Sequence, residues 1–411
     1  MASADQNGHH GEPILFPPGS SPPRPYRWVI LVLLWLAYAA FGLVSRSMPP
    51  LVTPLLADLG MTFSEMGLIL GSWQFTYIGI ATVAGTVTDR IGVRAAIFIG
   101  LLVICLSAGL RYFVTGFAML LAAVMLFGVG APLISIGAPT AISHWFSGKS
   151  RGVAVGIYTT GMMTGGLIAL SATNSLVMPL TGFSWRLTFV CYGAVTLAIA
   201  LVWLFGGRNA GRVTTAKKPG FWEVFPRLVL VVRLRIVLLG GLLAFASFHG
   251  LSNWLPKLFE NRGMDPVEAG FLASLPVFVG LFAVLLVPTL TAPLARGRMV
   301  SCLALANILS MTILAVADGG WVFVGLVIFG ITGPSIFPLL ALLLMDTPEV
   351  EANIMGMASG LFFAVAEIGG FSGPLVIGTL YDWTGSFLSG IAFMTIVNLM
   401  IVVLGLRLRT R

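Results

Sequence analysis

The 411-residue chain is 57% hydrophobic and only 9% charged, with a mean hydropathy of +0.98 and a net charge of +8. Soluble domains carry about 25% charged residues, so no water-soluble fold could hide this much apolar surface. The basic residues are scattered between apolar runs instead of forming one stripe or a separate domain, which argues against a nucleic-acid partner.

Residues 1–25 are rich in Pro, Gly, Ser and His and lack an apolar core, so they read as a disordered cytoplasmic tail and not as a cleaved signal peptide. His9 and His10 lie in this tail. Two histidines fall short of the three or four ligands a metal site needs, and no metal or cofactor is expected. Beyond the tail, apolar runs long enough to cross a hydrocarbon core of about 30 Å predict twelve helices: 27–58, 64–88, 94–114, 117–146, 151–180, 185–206, 235–260, 266–292, 298–317, 321–345, 354–381 and 386–406. The fold class is therefore an all-α membrane protein. It divides into a tail (1–25), an N-terminal six-helix bundle (26–206), a cytoplasmic linker (207–234) and a C-terminal six-helix bundle (235–411).

An even number of spans puts both termini on one side. Placing them in the cytoplasm leaves eighteen Lys/Arg inside and only Arg111, Arg186, Lys257 and Arg262 outside, which orients the chain by the positive-inside rule in an inner membrane. The basic linker, with Phe221, Trp222 and Phe225 interleaved, predicts a short amphipathic helix on the membrane surface. Cys105, Cys191 and Cys302 fall inside apolar runs and read as packing residues.

The two bundles repeat each other. GMTFSEMG from Gly60 aligns with GMDPVEAG from Gly263 at an offset of 203 residues, FGVGAP from Phe127 with FGITGP from Phe329, and TGG from Thr164 with IGG from Ile368. The same offset sets Arg46 of the first helix against His249 of the seventh. Ionisable residues at matching depths of repeated helices point to a site between the halves at mid-membrane.

Within the spans the ionisable candidates are Arg46, His249 and Glu367. A charge at the bilayer centre costs from about 2.5 to more than 10 kcal/mol, so each of them is expected to face a cavity or a partner. Arg46 keeps its charge and presents a planar fork suited to a carboxylate or phosphate; the plainer reading has it pairing with a nearby acid. His249 reads as a second positive charge, as a proton carrier, or as a neutral core histidine bonded to a carbonyl. Glu367, opposite Met163 in the repeat, reads as a proton-relay carboxylate or as a structural partner. Trp73, Gln74, Tyr77 and Tyr158 are the expected lining, since the amide and hydroxyls can orient a small polar ligand. Pro132 and Pro139, matched by Pro334 and Pro338, can bend pore-lining helices.

GTVTDRIGVR, from Gly85 to Arg94, resembles the loop signature G-x-x-x-D-R-x-G-x-R between helices two and three of the major facilitator superfamily. The resemblance covers nearly the whole chain beyond the tail. It implies two pseudo-symmetric six-helix bundles, with Gly85, Asp89, Arg90, Gly92 and Arg94 acting as a gate on the cytoplasmic side. The second-half equivalent, PTLTAPLARGR from Pro288, has Ala292 where Asp89 stands. Val124 stands near the position of the fourth-helix arginine of many proton-coupled members, and Met162 at the proline of the exporter pattern, so the likeness to drug/proton antiporters is weak. Stretches from His144 and Gly360 resemble smaller anion carriers of the cyanate and oxalate/formate types.

No nucleotide-binding Walker pattern, H-E-x-x-H or paired hydrolytic carboxylates occur, so no enzyme is expected. The function expected is a monomeric secondary transporter that rocks about Arg46 and His249 to move a small organic or inorganic anion, with a proton coupled through His249 or Glu367. An exporter of amphipathic or hydrophobic compounds, and a transporter-like receptor that conducts nothing, are the alternatives.

Overall fold

A computed structural model describes residues 25–209, 221–351 and 354–408. Most of the tail, the linker residues 210–220 and residues 409–411 lie outside the described residues. Among the described residues, twelve helices are long and apolar enough to span a membrane: α1 (Tyr26–Leu59), α2 (Phe63–Ile91), α3 (Val93–Phe113), α4 (Phe117–Trp145), α5 (Lys149–Leu180), α6 (Trp185–Gly206), α7 (Val232–Glu260), α8 (Pro266–Leu290), α9 (Pro293–Val316), α10 (Gly320–Met345), α11 (Met355–Thr384) and α12 (Phe387–Arg407). A further short helix, Phe221–Leu230, precedes α7 within the linker.

The repeat is visible in how the helices begin. Gly60 and Gly263 both take positive φ (61° and 84°), where a side chain would be strained, and each turns the chain into its next helix. Thr62 then caps α2 in a capping box with Glu65, and Asp265 caps α8 through the Val267 amide. The last glycine of each repeat is a contact between halves. A Cβ on Gly67 of α2 would lie 2.5 Å from Pro374 O of α11, and one on Gly270 of α8 would lie 2.6 Å from Leu170 O of α5.

Within each half the same device brings the first and fifth helices together. A Cβ on Gly165 would sit 1.9 Å from Ala39 O, and one on Gly369 would sit 1.9 Å from Leu242 O. With little hydrophobic drive between helices in lipid, such small-residue contacts let dispersion and close backbone approach hold the bundle.

Two helices depart from regularity at one end of the molecule. Pro49 and Pro50 remove backbone donors in α1, which tightens into a 3-10 turn over Pro49–Leu51. In α5 a π-helical segment, Thr173–Val177, projects Asn174, whose Nδ2 donates to Pro50 O and Pro266 O at 3.1 Å each. One side chain thereby ties α5 both to α1 and to the start of α8 in the other half. This is the far end of the bundle. The opposite, basic end carries Lys149, Arg151, Arg208, Arg296 and Arg298.

Candidate functional site

Three layers of side chains line the seam between the halves, starting nearest the far end. In the first, Arg46 of α1 crosses to α7, its Nη1 donating to Ser252 Oγ at 3.1 Å and meeting Asn253 Oδ1 at 3.5 Å. Its stem rests on Gly166, where a Cβ would approach Arg46 Cγ to 3.1 Å, and its guanidinium lies 5.8 Å from the Phe248 ring centroid. Among the described residues no carboxylate lies within ion-pair distance of it. A guanidinium has five donors, and two oxygen contacts leave most of its fork available.

One turn deeper is a buried polar cluster. Gln74 Nε2 of α2 meets His249 Nδ1 of α7 at 3.5 Å. Glu367 of α11 joins them at Gly370: a Cβ there would lie 3.2 Å from Gln74 Nε2, 3.3 Å from Glu367 Oε2 and 3.5 Å from His249 Cδ2. Gln74 and Glu367 are 0% and 4% exposed, yet among the described residues Gln74 Oε1 and Glu367 Oε2 accept no hydrogen bond. Buried acceptors are ordinarily satisfied, so two of them in one cluster are candidates to receive donors.

The third layer is aromatic. Tyr77 shares a 2.8 Å hydrogen bond with Ser135, and Tyr38 donates to Ser135 O at 3.4 Å. Tyr38 and Tyr158 meet edge to face at 4.8 Å between centroids, while Phe363 lies 6.2 Å from Tyr77 and 6.1 Å from Phe245. Tyr158 and Tyr38 each stand eight residues from the Arg46 layer along α5 and α1, which is about 12 Å at helical rise.

The structure thus gathers Arg46, Gln74, His249 and Glu367 within the two polar layers and sets Tyr77 and Tyr158 in the aromatic one. Trp73 points elsewhere: it packs in the core of the N-terminal half, with Phe41 at 6.0 Å and Phe127 at 5.5 Å. The residues that complete the site, Ser252, Ser135 and the side-chain-free Gly370, carry little signal in a sequence. Asn253 is an amide expected among the groups shaping the cavity, whereas Ser252 was findable only as the third residue after His249, on the same helical face.

Beyond the Arg46 layer the halves are closed at the far end. Thr53 of α1 bonds Glu260 of α7 and accepts from Lys257 Nζ at 2.8 Å. Asp382 of α11 accepts from the Phe63 and Ser64 amides at 3.0 and 2.7 Å and from the Ser64 hydroxyl, so a carboxylate of one half caps a helix of the other. Phe63 also stacks on Tyr381, with centroids 3.8 Å apart, and on Trp254 at 5.6 Å.

Toward the basic end the helices part. The helical glycines Gly79, Gly85, Gly152, Gly156, Gly356 and Gly360 have nothing within 4 Å of an added Cβ, whereas Gly67, Gly71 and Gly270, in the helices nearer the far end, would meet the backbone of the facing half. Of the loop signature, Gly92 makes the turn at φ 83°, and Arg94 donates to Leu204 O at 2.5 Å and through its amide to Asn209 Oδ1. Asp89 and Arg90 are exposed in the last turn of α2, and a Cβ added at Gly85 would meet nothing within 4 Å. The close approach that Gly85 would permit is not made here because the halves are separated at this end.

Comparison with known proteins agrees with this architecture. The chain is 24% identical over 385 residues to the hexuronate transporter of Bacillus subtilis (strain 168), covering 87% of this chain and 89% of that protein. It is 21% identical over 368 residues to the quinolone resistance protein NorA of Staphylococcus aureus (strain MRSA252), covering 86% and 89%. The crystal structure of a D-xylose-proton symporter superposes with a TM-score of 0.75 at 17% identity, over 93% of this chain and 97% of that one. A family model described as Major Facilitator Superfamily matches residues 34–374. Twelve spans in two repeated halves, a polar site on the seam and a family match over most of its length establish that the chain belongs to the major facilitator superfamily.

Proposed function

We propose that this secondary transporter carries a small hydroxylated organic anion of the sugar-acid kind, and that its polar seam is exposed alternately at the two ends. The observation that carries the reading is the unneutralised guanidinium of Arg46 above two unsatisfied acceptors, Gln74 Oε1 and Glu367 Oε2. A carboxylate fits the fork of Arg46, and substrate hydroxyls one turn deeper supply the donors that Gln74 and Glu367 lack. The hexuronate relative, which by its name moves an acid bearing hydroxyls, supports that chemistry, as does the likeness of the stretch from His144 to smaller anion carriers.

Glu367 and His249, side by side beneath Arg46, are the proton-coupling pair in this reading. With the basic end in the cytoplasm by the positive-inside rule, the open side faces inward and the Asp382 and Thr53 contacts seal the outside. The aromatic layer and the NorA relative favour the second reading, export of an amphipathic compound.

Thermal stabilisation of the purified protein by hexuronates, aldarates, neutral hexoses and a lipophilic cation separates the two. The expected result is a shift with the acids alone. Arg46→Ala should weaken binding by about 30-fold or more, the effect of removing one partner of a buried charge pair, and Arg46→Lys should weaken it by about tenfold through loss of the fork. Equal shifts with neutral hexoses, or acid binding unchanged in Arg46→Ala, would exclude Arg46 as the anion anchor.

A further inference from the structure

The N-terminal half holds a second arginine that the central site does not use. Arg111, at the far end of α3, is 2% exposed, one of the largest fully buried side chains of the protein. Phe189 of α6 covers it, with 4.8 Å between the guanidinium carbon and the ring centroid, and its Nη2 lies 3.4 Å from Ser107 Oγ. Its Nε and Nη1 find no acceptor among the described residues. Among the described residues no carboxylate lies within ion-pair distance of it.

The guanidinium borders a small pocket of about 10 Å³ between α1, α2, α3 and α4, lined also by Ser45, Met48, Trp73, Val124 and Phe127. That is room for about one particle of water size. The repeat shows that the bundle does not need a cation here. The 203-residue offset sets Leu314, fully buried, opposite Arg111, while the neighbouring serines stay equivalent: Ser107 Oγ donates to Ala123 O at 2.6 Å and Ser310 Oγ to Gly325 O at 2.7 Å.

We infer that this cavity is a binding site for a single halide ion, held by Nε and Nη1 of Arg111. A water molecule would satisfy the N–H groups and leave the charge uncompensated in apolar surroundings. A monovalent anion does both. A carboxylate-bearing substrate is too large for the space, so the site is distinct from the central one, although Ser45 and Trp73 adjoin Arg46 and Gln74 in sequence and set the two back to back. Met48, unbranched and flexible, can yield the small extra radius a halide needs.

The test is thermal unfolding of the purified full-length protein as chloride or bromide replaces sulfate at constant ionic strength, since a ligand of the folded state raises Tm with its concentration. The expected result is a rise with either halide that persists in Arg46→Ala and vanishes in Arg111→Gln. Crystals grown in bromide should show one anomalous peak beside Arg111. Halide-independent unfolding with no such peak would mean the cavity holds water and would overturn the site. A bromide peak only at Arg46, or halide dependence surviving in Arg111→Gln, would overturn it too. Should Arg111→Gln fail to fold, the position of the wild-type bromide peak decides. The Arg46→Ala series keeps this outcome separate from that of the central site.

Discussion

Gln74 and His249 meet across the seam with Nε2 and Nδ1 3.5 Å apart, and each belongs to a different half of the repeat. The contact lets the polar cluster report the relative position of the halves. If α2 and α7 separate, the amide loses His249, and Glu367, already short of a donor at Oε2, becomes the neighbour whose bonding must change. A ligand that supplies donors to Gln74 Oε1 and Glu367 Oε2 bridges α2 to α11 and so acts on the same interface. In the proposed site, binding and rearrangement would be coupled through shared atoms.

Gly370 and its neighbour Gly369 should give opposite phenotypes when changed to alanine. A Cβ on Gly370 enters the polar cluster at 3.2 to 3.5 Å from Gln74, Glu367 and His249, while one on Gly369 would be 1.9 Å from the Leu242 carbonyl. Gly370→Ala gains about 1 kcal/mol of helix propensity against mild crowding, so Tm should stay within a few degrees while substrate affinity falls about tenfold. Gly369→Ala must push α7 and α11 apart and should lower stability by about 3 kcal/mol with affinity reduced only in proportion to unfolding. Thermal unfolding and ligand titration of the two variants, side by side, check this.

Glu367→Gln should separate binding from coupling. The amide keeps an oxygen acceptor for a substrate hydroxyl but carries no exchangeable acid proton, so counterflow exchange in proteoliposomes should continue. Accumulation driven by an imposed pH gradient should be lost. Undiminished gradient-driven uptake would remove Glu367 from the coupling pair.

The spans and the halves were legible in the sequence because hydropathy fixes where a helix may cross and the Gly60 and Gly263 repeats mark where each second helix begins. Arg46, His249 and Glu367 stood out as ionisable groups in apolar runs. Trp73 misled, since an aromatic beside Gln74 looks like lining until the helix rotation is known; here that rotation turns it toward Phe41 and Phe127. Gly370 and the π-helical Asn174 were invisible for a related reason. Their roles come from which backbone lies opposite and from a local change in helical phase, and neither is written in residue type.

Asp382→Asn should loosen the far end. The carboxylate accepts from two amides at the start of α2, and replacing it weakens a charged cap that is worth about 1 kcal/mol. A shift of that size changes the ratio of closed to open forms about fivefold. Spin labels at the exposed positions Ala57 and Asp318, one on each half, placed after replacement of the three native cysteines, should show a longer distance population growing in the variant.

Gly156 of α5 and Gly360 of α11 are related by the repeat and both border open space at the basic end. Gly360 stands three and seven residues before Phe363 and Glu367, on the face of α11 that meets the seam. An added Cβ at either position meets nothing within 4 Å, so leucine there should leave Tm unchanged or slightly raised, since glycine within a helix is unfavourable by about 1 kcal/mol. In the opposite arrangement the basic ends must approach as the far ends now do, where glycines sit within 2 to 3 Å of the facing backbone once a Cβ is added. Bulk there blocks that approach. Gly156→Leu and Gly360→Leu should therefore each retain ligand-dependent thermal stabilisation while lowering transport by about tenfold, with the double variant close to inactive, since one obstruction from each half meets at the same closure. Full transport by the double variant would mean that the halves do not close over these helices, and that access alternates by some other motion.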